Sequence, residues 1–188
     1  MRSAFASEQT DYDGSQLRAG WLAGTLGLDP ADGGAVGAFL GACDVKPEFV
    51  VDLEEVESGE PIRAAMMVHF VAEFPEADLE KAVIRQRLLA SIVRDELAGL
   101  APGRTFRRRG DDVYENGHKV SVSVATLSPN SSLMHFAVNV DASGAPVPAR
   151  GLDDFGIDPE RFARTVLETF AEEIASARTA TEKVRRVT

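Results

Sequence analysis

The sequence predicts an α+β fold, a mainly antiparallel sheet covered by helices on one side, and three observations carry that expectation. Asn116-Gly117 stands between two alternating apolar and polar runs, the pattern of a two-residue type I′ hairpin whose central residues both take positive φ. Residues 76–97 place Leu79, Val83, Leu89, Val93 and Leu97 near one stripe of a helix. Residues 158–174 open on Asp158-Pro159, an N-cap followed by a first-turn proline, and continue with Phe162, Val166, Phe170 and Ile174 at helical spacing. No internal repeat or linker divides the 188 residues, so one domain is expected, with an ordered core over about residues 12–178 and polar termini.

In chain order, residues 1–10 are polar and expected to be loose. Tyr12-Asp13-Gly14 reads as a turn, after which Ser15 caps a short helix carrying Leu17, Trp21 and Leu22 and ending near Gly27. Asp29-Pro30 through Gly33-Gly34 is a loop of breakers. Residues 35–45 and 49–56 read as strands, the first glycine-rich, and Glu57-Ser58-Gly59-Glu60-Pro61 separates them from a strand over 62–74. Glu76 and Asp78 then sit in the first turn of the long helix, where negative charge suits the dipole, and Gly99 and Pro102-Gly103 end it.

The two-residue turn fixes the hairpin register. Glu115 faces His118, Tyr114 faces Lys119, Val113 faces Val120 and Asp112 faces Ser121. One side then carries Asp112, Tyr114, Lys119, Ser121 and Ser123, and the other Val113, Val120, Val122 and Val124, the expected core face. Residues 132–141 repeat the pattern, with Met134, Phe136, Val138 and Val140 one way and His135, Ala137, Asn139 and Asp141 the other. The result is a dry face and a polar face, and the polar face is the candidate site. Residues 144–156 form a connection punctuated by glycine and proline before the final helix.

Composition bounds the function. Hydrophobic content of 44% and charged content of 27% are those of a soluble globular protein. A net charge of -10 argues against broad nucleic-acid or anionic-membrane binding, and Arg107-Arg108-Arg109 is the compact basic run. The single cysteine, Cys43, excludes an internal disulfide. No signal peptide opens the chain, and no apolar run reaches the ~18 residues of a membrane span, so a cytoplasmic enzyme or binding protein is expected. Sheet edges would permit a homodimer without requiring one.

On the polar face Lys119 offers an ammonium for a phosphate or carboxylate oxygen, with the Ser121 and Ser123 hydroxyls beside it; the structural alternative is a turn lysine neutralised by Asp112. His135 and Asn139 project from the next strand and could line the same ligand. Asp111-Asp112 has the chemistry for magnesium, although alternation puts Asp111 on the valine side and leaves Asp112 as the better candidate. His69 and Glu73, four apart, could join His135 in a two-histidine, one-carboxylate metal site, or His69 could simply be a partly buried ring bonded to a carboxylate. Arg85 and Arg87 could reach an anionic ligand or make helix-surface ion pairs with Glu80 or Asp95. Arg109, closing the arginine run, is a phosphate candidate or an edge-protecting charge. No GxxxxGK[ST] loop, strand-linked GxGxxG or GxSxG elbow is present.

The segments YDGSQL, MVHFVAEF, RQRLL and RRGDDVYENGHKVSVSVATLSPNSSLMHFAVNV together resemble the prokaryotic domain of unknown function 366 family, over most of the chain. That resemblance implies a fold similar to the biotin and lipoate protein ligases, whose catalytic domain is related to class II aminoacyl-tRNA synthetases. NGHKVSVSVA looks like the ligase pattern whose lysine contacts the acyl-adenylate, so by resemblance Lys119 touches the carbonyl or phosphate of an activated acid. Two departures stand out: Ser121 occupies a position where the ligases often have glycine, and their arginine-plus-triple-glycine phosphate loop has at most a remnant in Arg109-Gly110. The leading expectation is a ligase or acyltransferase acting on a small carboxylic acid, with ATP and magnesium as companions and an acceptor left open. The alternatives are a non-catalytic small-molecule binding protein on the same scaffold and a metal-dependent hydrolase using His69, Glu73 and His135.

Overall fold

The computed structural model describes residues 1–187. Its larger sheet runs, edge to edge, β1 (Arg2–Phe5), β2 (Ala35–Asp44), β3 (Arg63–Phe74), β8 (Ser132–Asp141) and β7 (Ser121–Leu127). Every pairing in it is antiparallel except β1 on β2. A smaller sheet joins β4 (Phe106–Arg109), β5 (Asp112–Glu115) and the two-residue β6 (His118–Lys119). The α+β expectation holds.

Two long helices cover one face, α3 (Leu79–Leu100) over β7 and β8 and, after the short α4 (Leu152–Phe155), α5 (Pro159–Glu182) over β1 and β2, touching each other between them. Asp78 and Asp158 cap them, accepting from the Lys81 and Arg161 N–H groups. The α5 stripe of Phe162, Val166, Phe170 and Ile174 is buried against Val36, Ala38, Phe70 and Phe136, each large side chain contributing roughly 1.5–3 kcal/mol. In α3 only the later part of the expected stripe, Leu89, Val93 and Leu97, is buried; Leu79 lies 47% exposed at the first turn. The opposite face is also covered. Tyr12, α1 (Trp21–Leu26) and Phe39 build a second apolar cluster there with Met67 and Val71, so helices lie on both sides of the sheet rather than one.

Three local expectations are corrected. Residues 2–5 are strand β1 rather than loose chain, registered Arg2 on Ala35 and Phe5 on Ala38, because Phe5 packs on the helix-side core. The first helix begins at Trp21, after Gly20 at φ 75; Ser15 instead bonds Asp13 Oδ1 through both its N–H (3.0 Å) and its hydroxyl (2.6 Å), completing a turn. Residues 49–56 are no strand. Pro47–Phe49 is a 3-10 turn and Leu53–Ser58 is helix α2, whose first N–H groups are satisfied by the Asp52 carboxylate, so the segment needs no sheet partner.

The fourth correction matters most for the site. At Val120 the chain leaves the smaller sheet for the larger: its N–H donates to Val113 O (2.8 Å) and its carbonyl accepts from Asn139 N–H (2.9 Å). Beyond it, Ser121 and Ser123 lie opposite Val138 and Phe136, members of the helix-side core, while Val122 and Val124 lie opposite Ala137 and His135 on the other face. The expected alternation is therefore inverted along β7. Nor is the side of β8 bearing His135 and Asn139 wet, since both residues are buried.

Candidate functional site

Asn116 and Gly117 both take positive φ, 47° and 84°, and the type I′ turn sets Tyr114 opposite Lys119 and Glu115 opposite His118, as the sequence requires. Lys119 is then gripped from its other edge. Its N–H donates to Pro148 O (2.9 Å) and its carbonyl accepts from Arg150 N–H (3.1 Å), a parallel bridge to residues remote in sequence. Asn139 Nδ2 braces this junction, donating to the Lys119 carbonyl (3.3 Å) and the Arg150 carbonyl (3.2 Å). The incoming chain can lie so close because residue 151 is glycine: a Cβ there would stand 2.1 Å from Val140 O.

The Lys119 ammonium, fixed in this way, sits 3.0 Å from Asp112 Oδ2, which also accepts from the Tyr114 hydroxyl (3.2 Å). Burial pulls the lysine's proton affinity down, but the Asp112 carboxylate more than reverses this and the pKa lies above the ordinary value. Burial likewise raises the Asp112 carboxyl, and Lys119 offsets that only in part. Lys119 lines a cavity of about 120 Å³ together with Cys43, Ile62, Met67, Val122 and Glu55 of α2. Asp112, Lys119 and Asn139 thus converge, with Asn139 holding the backbone of Lys119.

Ser121 lines the same cavity but its hydroxyl is turned into the fold, and Ser123 lies outside the cavity. Ser121 Oγ accepts from Val113 N–H (2.8 Å) and stitches the two sheets together. Ser123 Oγ bonds Asp111 Oδ2 (3.1 Å), and Gln86 Nε2 of α3 donates to both, at 2.8 and 2.9 Å. Asp111 is consumed in that network and diverges from Asp112, so the two carboxylates make no shared magnesium cradle.

The proposed histidine-carboxylate metal site does not assemble either. His69 Nε2 lies 3.2 Å from the Gly41 carbonyl, which only accepts, so the proton is on Nε2 and Nδ1 accepts from His135 Nε2–H at 3.1 Å. Glu73 lies beyond reach of the pair, its oxygens taken by Gly20 N–H (2.9 Å) and the Ser131 hydroxyl (2.9 Å). Among the described residues no group of three such side chains converges. The two rings instead stack with Tyr12, whose centroid is 3.7 Å from that of His135. Burial lowers the His69 pKa to about 4 and that of His135 well below its ordinary value, so both rings are neutral.

The arginines separate as well. Arg85 is a buried member of the fold, 2.6 Å from Glu76 and 3.8 Å above the Phe74 ring, rather than a surface partner of Glu80 or Asp95. Exposed Arg87 lies over Gly110, and Arg109 over the Tyr114 ring at 5.8 Å. Gly110 and Asp111 form the tight turn between β4 and β5, with Arg109 paired to Asp112, so Arg109-Gly110 is a hairpin end and not a phosphate-binding loop.

Residues 1–185 match the family described as Domain of unknown function (DUF366). The chain belongs to this family. An uncharacterized protein of Methanocaldococcus jannaschii is 29% identical over 93% of this chain and 80% of its own. A protein of unknown function from Pyrococcus horikoshi superposes at TM-score 0.91 with 36% identity, over 99% of this chain and all of the other. Outside DUF366 the fold is shared by a biotin protein ligase from Aquifex aeolicus, solved with biotin and ATP (TM-score 0.56, 15% identity, 93% of this chain and 70% of that one). A lipoate-protein ligase A bound with ATP is similar at TM-score 0.52 and 13% identity, covering 94% of this chain and 86% of that one.

Sequence reasoning missed one part of the site in this DUF366 chain and two arrangements that brace the fold around it. Glu55 was hidden in a segment read as strand; the Asp52 cap and the acids after it are the signal that finds the helix. Arg150 and Arg104, which clamp the buried Glu115 carboxylate at 2.8 and 3.5 Å, carry no local pattern at all. Tyr12, read only as part of a turn, stacks on both histidines.

Proposed function

We propose that this protein takes a small carboxylic acid into the cavity beside Lys119 and acts on it as a ligase- or acyltransferase-like enzyme. One observation carries the reading: an ammonium held by Asp112 and fixed through its own backbone lies in the lining of a partly apolar cavity of about 120 Å³. A lysine bonded to one carboxylate keeps donors for a second oxygen. Asp112 aims it, so that its charge is preorganised where negative charge develops.

In such a reaction a carboxylate oxygen of the acid would attack the α-phosphorus of ATP with departure of pyrophosphate, and a nucleophile of the acceptor would then attack the acyl carbon of the adenylate with departure of AMP. Lys119 stabilises the charge on the carbonyl or phosphate oxygen. Likeness to ligases solved with biotin or ATP supports the class of ligand by analogy of fold. Since Asp111 and Asp112 diverge, no step is assigned to magnesium.

The test is pyrophosphate exchange with ATP across a panel of small acids, read beside direct acid binding by calorimetry. Exchange with some acid, abolished by Lys119→Ala, is the expected result. Acid binding without exchange selects the second reading, a non-catalytic binding protein, which the hairpin turn at Gly110 in place of a phosphate loop favours. Neither binding nor exchange overturns both.

A further inference from the structure

Two carboxylates line the cavity beside Lys119, Glu55 and Glu60, and Glu55 is the less exposed of them. Glu55 is half-buried on α2 and lines the same cavity, and among the described residues its side chain makes no hydrogen bond or ion pair. Asp112 holds Lys119, and Arg63, also in the wall, turns its Nε–H to the Gly144 carbonyl at 3.1 Å and makes no ion pair among the described residues. Exposed Glu60 completes the lining. Counting Asp112, three carboxylates therefore surround two cations. A plain anion entering this space would meet Lys119 at one point and the uncompensated Glu55 at another.

Between those charges the wall is apolar, formed by Ile62, Met67, Val122 and Val147. An ammonium on the ligand would give Glu55 the partner that the protein withholds, while methylenes cover the side chains between. Resting on the reading that a carboxylate lies at Lys119, we infer that the acid is zwitterionic: an amino acid whose carboxylate meets Lys119 and whose ammonium meets Glu55 across a short aliphatic chain. Burial raises the Glu55 carboxyl above the usual range, with Asp52 adding to it and Lys119 opposing, the behaviour of a carboxylate short of a counterion.

The experiment is calorimetric binding of matched pairs to the full chain: butyrate against γ-aminobutyrate, valerate against δ-aminovalerate, caproate against ε-aminocaproate. For the best length the amino acid binds at least about tenfold more tightly than its plain partner, as a charge-assisted hydrogen bond requires. In Glu55→Gln, checked for folding by circular dichroism, that preference collapses and the plain acid gains affinity. Equal or better binding of the plain acid by the unaltered protein overturns the inference and leaves the carboxylate site standing. A preference that survives Glu55→Gln also overturns it, and binding of no compound sinks the carboxylate site with it.

Discussion

Two carboxylates on the four-residue strand β5 meet opposite fates. Glu115 is buried with its side chain 2% exposed, and three donors satisfy it: Arg150 at 2.8 Å, Asn116 Nδ2 at 2.9 Å and Arg104 at 3.5 Å. Asp112, three residues earlier, has one cation and one hydroxyl and keeps its side chain 22% exposed, and its partner Lys119 lines a cavity. Glu115 locks the hairpin to the segment that delivers Arg150, and all its bonding capacity is spent within the fold. The Asp112–Lys119 pair is oriented but not enclosed. A charge pair that ties distant segments together without leaving room for a ligand is structural; one held beside unfilled apolar space is available for chemistry.

The largest effect expected from breaking this contrast is at Glu115. Glu115→Ala strands two guanidinium groups and should cost about 3 kcal/mol in urea unfolding, toward the low end for a broken buried pair because both arginines are about one-third exposed. The buried histidines test the same principle by pH. An unfolded histidine titrates near 6.5 and folded His69 at about 4, so the unfolded chain binds more protons between those values. The corresponding stability is fully present above pH 6.5 and lost as pH falls through about 4, on the order of 3 kcal/mol for His69. Unfolding midpoints that stay level from pH 7 to pH 4 would refute this. The smallest change in stability is expected at Lys119, where Lys119→Met should stay within about 1 kcal/mol of the parent, as for a partly exposed pair, while acid binding disappears. A large stability loss there would turn the Lys119–Asp112 pair into a second Glu115.

Local patterns announced much of this molecule. The Asn-Gly turn, the Asp78 and Asp158 caps and the α5 stripe are each settled by neighbours within a few residues. The facing of Tyr114 and Lys119 follows from the turn alone, and with it the nearness of Lys119 to Asp112, which lies two residues along the same face. Ser121 and Ser123 were read as ligand contacts because polar residues alternate with apolar ones, Glu73 as a metal ligand from its spacing to His69 and Arg85 as a helix arginine in reach of an anion, but each finds a partner inside the protein: Val113 N–H, Gln86, Ser131 and Glu76. A buried polar side chain must be satisfied, and sequence does not show by whom.

What the sequence determined by itself is therefore the set of elements whose energetics are local: capped helices, a primed turn, and a lysine registered against its own hairpin. The tertiary structure decided which way β7 faces and what lines the cavity. Val120 bonds to both sheets, through Val113 on one side and Asn139 on the other, and that double attachment reverses the facing of every side chain after it. A strand's register is fixed by its partners, and here those partners stand on either side of it in the chain, Val113 before and Asn139 after, with the Pro148–Arg150 segment that grips Lys119 farther on.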